Sequence, residues 1–261
     1  KKVGATVAKV GAAAFAAAAA GIVSITKSAV QNYAEYEQLV GGVETLFKDS
    51  AKEVQKYASE AFKTAGLSAN EYMDTVTSFS ASLLQSLGGD TAEAAAYADR
   101  AITDMADNAN KMGTSITSIQ NAYQGFAKQN YTMLDNLKLG YGGTKAEMER
   151  LIADANKLKE ANGEMADLSI DSFADITEAI HLVQTEMGIT GTTALEAAST
   201  IQGSCSMMKA AWHNLVTGLA DENADFDKLL GNFIDSVSTF GKNLIPKIEV
   251  ALNGVVKLIR N

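Results

Sequence analysis

Residues 144–161 read TKAEMERLIADANKLKEA, and the reading of this stretch decides the fold class. Met148, Leu151, Ile152, Ala155 and Leu158 recur at helical spacing, so they share one face of a helix while the charged residues take the other. Thr144 and Glu147 stand three apart at its start, the spacing at which a hydroxyl and a carboxylate each accept from the other's backbone N–H. Just upstream, residues 137–147 read LKLGYGGTKAE, a glycine-rich run with a lysine that invites comparison with a phosphate-cradling loop. A Walker loop places Ser or Thr directly after the lysine to hold magnesium, and it follows a strand. Here Lys145 follows Thr144 and no strand pattern precedes. The run reads instead as a helix stop at Gly140–Gly143, with Tyr141 held among glycines as a candidate partner contact.

The same pattern repeats along the chain. Ser50 with Glu53, Ser68 with Glu71, Asp90 with Glu93 and Thr193 with Glu196 repeat the cap spacing. Gly66, Gly88–Gly89, Gly113, Gly142–Gly143 and Gly188 read as stops. Leu229, Leu230, Phe233, Ile234, Val237 and Phe240 form one apolar run near the end. A second follows Gly241, with Pro246 expected in the first turn of a new helix. One proline in 261 residues and 7% aromatics leave little room for sheet. The expectation is an all-α chain of eight to ten helices, a multi-helix elongated bundle joined by short glycine-containing turns and assembled symmetrically. Residues 163–172, GEMADLSIDS, are the expected mobile connection.

Charge divides the chain. Residues 1–30 contain Lys1, Lys2, Lys9 and Lys27 and no acid, whereas 18 basic and 31 acidic residues follow, so +4 leads a body of −13. Two regions are therefore distinguished, an Ala/Gly-rich apolar segment at 1–30 and an acidic helical domain at 31–261. Residues 10–25, VGAAAFAAAAAGIVSI, are uncharged for sixteen positions, short of the roughly 20 a membrane helix needs. Phe15, Ile22 and Val23 mark this stretch as a bundle segment, a conditional membrane segment or a leader. The helical pattern runs on past Ala29 and no initiator Met is present, so the sequence reads as an excerpt of a longer protein.

Side chains that could do chemistry are few. His181 and His213 are far apart, without the i, i+4 partner or carboxylate cluster of a helical zinc site. Cys205, the single cysteine, has no neighbouring base and reads as a small core or interface residue. Asp221, Glu222, Asp225 and Asp227, and Asp171, Asp175 and Glu178, lack the calcium-loop pattern and suit helix starts. No catalytic, cofactor or metal residues are assigned, and the chain reads as no enzyme. In MKAAWHNLVTGLA (208–220), Trp212 is a second candidate partner contact.

Long stretches of the chain resemble one family. YEQLVGGVETLFK (36–48), GLSANEYMDTVTSFSASLLQSLGGD (66–90), residues 107–155 and residues 178–230 are similar, in order, to tail tape-measure proteins of bacteriophages and prophages of Gram-positive hosts. The resemblance spans about residues 31–261, and the lead-in matches in character alone. It implies a structural protein of the virion, in the tail-tube lumen or at the tail tip, that sets tail length during assembly and takes part in genome ejection. It further implies a homo-oligomer (trimer first, hexamer second) and contacts with tail tube, distal tail or baseplate hub proteins and tail assembly chaperones. DNA would pass nearby without sequence-specific binding, and the host membrane would be met on ejection. A membrane-active pore or translocation protein using the apolar N-terminal helix is the alternative.

Overall fold

The structure, a computed structural model, describes the backbone of residues 2–260 and the side chains of residues 23–253. Among the described residues it is all-α, without strands. The helices are α1 (Lys2–Phe47), α2 (Ala51–Thr64), α3 (Ala69–Ser86), α4 (Thr91–Met112), α5 (Ile116–Phe126), α6 (Lys145–Ala161), α7 (Phe173–Glu186), α8 (Thr192–Ser199), α9 (Ile201–Gly218) and α10 (Phe226–Arg260). Short 3-10 turns cover Lys48–Ser50 and Leu134–Leu137. The compositional boundary at residue 30 falls inside α1, which also runs straight through Gly41 and Gly42.

The core is organised around α4. Ala94, Ala95, Ala98, Ala101, Ala106 and Ala109 are buried, and their small side chains let neighbouring helices approach closely while Ile102 and Met105 fill the gaps. Against α4 pack Tyr72, Met73, Val76, Phe79 and Leu83 of α3 and Ile119, Tyr123 and Phe126 of α5, all buried. The face read from residues 144–161 is confirmed: Met148, Leu151, Ile152 and Ala155 are buried, with Leu158 half-buried at the edge. Burying such aliphatic side chains stabilises by roughly 1.5–3 kcal/mol each. Tyr131, Leu134, Leu137 and Leu139 bury the segment that leads into the glycine run, as a 3-10 turn on the core.

Helix starts follow the cap pairs in part. Ser68 and Glu71 make a complete capping box, Asp90 accepts from Ala92 and Glu93, and Thr144 accepts from Glu147. Ser50 does not cap: its hydroxyl is spent on Thr91 Oγ1 at 2.9 Å, because a 3-10 turn delivers the chain to α2 already helical. Thr193 does not cap either, since the N-cap of α8 is Gly191, two residues earlier. Caps that pattern reading missed are Ser115, Ser172 and Thr200, none of which has a Glu or Gln three residues on.

Two further expectations are corrected. Pro246 opens no new helix; it lies inside α10, whose apolar spacing continues across it and outweighs one lost hydrogen bond. Gly142 and Gly143 are not the left-handed stop, because that conformation belongs to Gly140 at φ +87°. Residues 163–172 are strapped to α6 and its surroundings. Asn156 exchanges two 3.0 Å hydrogen bonds with the Leu168 backbone, Lys159 pairs with Asp167 at 3.0 Å, and the Tyr131 hydroxyl donates to Ile170 O at 3.4 Å.

Candidate functional site

The densest buried chemistry lies along one face of α4, where Arg100, Asp104, Asp107 and Asn108 follow one another at i, i+4, i+7 and i+8. Arg100 pairs with Glu178 of α7. One turn on, Asp104 takes the Nδ1 of His181, also on α7, at 2.9 and 3.0 Å to its two oxygens. Burial pushes the Asp104 carboxyl above its ordinary range, against the opposing pull of His181 and Arg100. Its hydrogen bond in turn holds the His181 imidazolium and raises that pKa. Asp107, fully buried, accepts from the backbone N–H of Gly191 at 2.6 Å and of Thr193 at 2.7 Å, at the start of α8. A carboxylate there satisfies two donors of the opening turn and meets the positive end of the helix dipole. Asn108 donates to Leu137 O at 3.0 Å, and Asn110 reaches Thr193 Oγ1 at 3.0 Å.

This row fastens α7, α8 and the 3-10 turn at 134–137 to the central helix. Asp104 and His181 have the geometry of a base and its orienting carboxylate, but no hydroxyl or thiol among the described residues hydrogen-bonds the imidazole. Nor do the described residues gather three or more His, Cys, Asp or Glu that could hold a metal ion. The arrangement does positioning work. Sequence reading missed it, although four polar residues on one face of an Ala-rich helix were a visible signal.

Tyr141 is engaged within its own chain. Its hydroxyl donates to Asp154 at 3.0 Å, and the Arg150 guanidinium lies 4.2 Å over its ring. Burial and the Asp154 carboxylate push its pKa up to about 12. Arg150 also donates to Gly140 O at 2.7 Å, and Glu147 accepts from Gly142 N–H at 3.0 Å instead of completing a capping box. Gly143 is required by close approach, since a Cβ there would stand 2.3 Å from Thr132 O. The glycine run is thus a cross-braced clasp onto the first turns of α6, with the Gly142 amide held by Glu147.

Trp212, on α9, is 43% exposed and packs at 5.1 Å against Phe233 of α10. With Ile25 of α1 and Val216 it lines an open cavity of about 340 Å³. Val23 is exposed; the side chains of Phe15 and Ile22 lie outside the described residues. Among the described residues, no helix is long and apolar enough to cross a membrane. Cys205 is half-buried.

The run from Leu229 to Phe240 splits between two faces. Leu229 and Phe233 lean on α9 and Phe240 is half-buried, while Leu230, Ile234 and Val237 point to solvent. Asn243 is the last tether: its side-chain amide reaches Ala198 O, Thr200 O and Ser204 Oγ at 3.1–3.2 Å. From Ile245 to Asn253 every residue of α10 is exposed. No protein-family model, curated protein sequence or solved structure matches the chain.

Proposed function

We propose that this chain is a segment of a phage tail tape-measure protein, a non-enzymatic structural component of the tail lumen or tail tip that sets tail length and takes part in genome ejection. The observation that carries the reading is the ordered similarity of four long stretches over residues 31–261 to that family. The helical architecture supports it. At 1.5 Å per residue, the 46 residues of α1 and 35 of α10 extend about 69 and 52 Å, long helices of the kind a tail protein would carry beside a compact core. The acidic body supports it too, because DNA slides past an acidic wall where basic patches would retain it. In this reading the glycine-bearing turns keep the segment compact near the tip. Symmetric copies, three before six, meet distal tail or hub proteins there, and tail assembly chaperones hold the chain beforehand. Trp212, exposed beside α1 and α10, is the surface contact this reading favours.

Negative-stain microscopy tests the reading. Removing a helical stretch elsewhere in the full protein shortens the tails in proportion; tails of unchanged length would sink the ruler role. A second reading, a membrane-active translocation protein, draws on the uncharged run at 10–25 and the exposure of Val23 within it. It predicts dye leakage from liposomes that is lost on Phe15→Lys with Ile22→Lys, and absence of leakage at every pH would end it.

A further inference from the structure

Along α10, Leu230, Ile234, Val237, Gly241, Ile245, Ile248 and Leu252 fall within about 80° of one another at 3.6 residues per turn, a stripe about 33 Å long. The six side chains are 36–60% exposed. Their intervals read 4, 3, 4, 4, 3, 4, the same in both directions from Gly241. A second α10 laid antiparallel therefore finds the same stripe. Leu230 meets Leu252, Ile234 meets Ile248, Val237 meets Ile245, and the two Gly241 residues meet at the crossing. A Cβ on Gly241 would touch nothing within 4 Å in this chain, so the crossing point is open to an approaching helix.

We propose that two copies of this chain associate through this stripe as an antiparallel, two-fold symmetric pair centred on Gly241. Three observations favour that occupant. The stripe is self-complementary under a two-fold axis, as an isologous interface requires. Its half-exposed aliphatic side chains offer roughly 500 Å² per copy, so the pair reaches the ~1,000 Å² at which specific interfaces begin. Charge selects the direction. Residues 241–261 carry four basic residues and one acidic, +3; with +4 on residues 1–30 and −9 overall, residues 31–240 hold −16. Antiparallel pairing lays each basic arm along the partner's residues 226–240, where Asp227 and Asp235 outnumber Lys228, whereas parallel pairing would set arm against arm.

The pair is a different assembly from the three-fold or six-fold arrangement of the tail reading, and the same experiment separates them. Sedimentation equilibrium of the full chain at tens of micromolar is expected to give twice the mass of one chain. Ile234→Glu with Ile248→Glu is expected to weaken association at least 100-fold with an unchanged circular dichroism melt, since both side chains are exposed in one copy. Orientation is read by disulfide trapping in a Cys205→Ser background. Ile234→Cys chains mixed with Ile248→Cys chains cross-link, and neither variant cross-links alone. A monomer, a trimer, an undisturbed double glutamate variant or self-cross-linking of Ile234→Cys would each overturn the pair. Of these, the trimer would do so while strengthening the three-fold tail arrangement.

Discussion

Asp107→Ala removes the carboxylate that holds the start of α8 to the central helix. The side chain is fully buried and accepts two short backbone hydrogen bonds, 2.6 Å from Gly191 and 2.7 Å from Thr193. Hydrogen bonds to a charged acceptor contribute about 1.5–3 kcal/mol each, and truncation leaves both donors without a partner. Against this stands relief from keeping a carboxylate out of water, so we take the lower end, about 3 kcal/mol. For a chain of this length such a loss lowers Tm by roughly 6–12 °C. Asp107→Asn keeps the size and one acceptor oxygen but turns an N–H toward the second donor, and it is expected to retain about half the stabilisation. Urea melts by far-UV circular dichroism give the global loss, and hydrogen exchange at the Gly191 and Thr193 amides shows where it falls. An Asp107→Ala variant within about 1 kcal/mol of the parent, its two amides still protected, would refute the account.

Gly143→Ala drives a methyl into the Thr132 carbonyl oxygen, 2.3 Å away, and is expected to cost about 1–3 kcal/mol in a thermal melt, whereas Gly41→Ala on α1 meets no neighbour and should be neutral or slightly stabilising. Because Asp104 raises the His181 pKa above 6.5, the folded state binds that proton more tightly than the unfolded chain. The resulting stability is fully present below pH 6.5 and fades as pH rises through the raised value; Tm scans from pH 6 to 9 should show the decline, and His181→Gln should flatten it. Pro246→Ala restores a backbone donor inside α10 and removes the ring clash with the turn before it. Ellipticity at 222 nm should rise while the main unfolding transition stays put, since the arm beyond Asn243 carries little of the core.

Much of the fold could be read from spacing alone. The α6 face, the Ser68–Glu71 box and the Asp90 cap obey local rules, in which one side chain and the next turn settle the geometry. What escaped was decided by distant partners. Ser50 follows the cap rule in sequence but is claimed by Thr91, forty-one residues on. Pro246 looks like a boundary until the apolar stripe on either side is seen to keep one phase through it. Tyr141 stands among glycines in the sequence, where nothing local shows that Asp154 and Arg150 of α6 take its hydroxyl and its ring face. The α4 polar row was hidden for the opposite reason: Asp, Asn and Arg on a helix suggest a solvated face until a helix from elsewhere covers them.

Helix α9 has a mechanical consequence. It touches α1, α2, α8 and α10, and so lies between the helices that carry the two ends of the chain. Tension applied between those ends loads α9 from the α10 side, while α1 also reaches α4 directly. The α10 contact is loaded first and along its length, with the Asn243 amide as the nearest latch and the Trp212–Phe233 contact behind it. Under a steady pull α10 should peel away as a first, low-force event. The helices buttoned to α4 by Asp104, Asp107 and Asn108 then form a separate and stiffer unit. A chain drawn lengthwise through a narrow passage would thus yield in stages, its outer helix straightening while the inner bundle still holds.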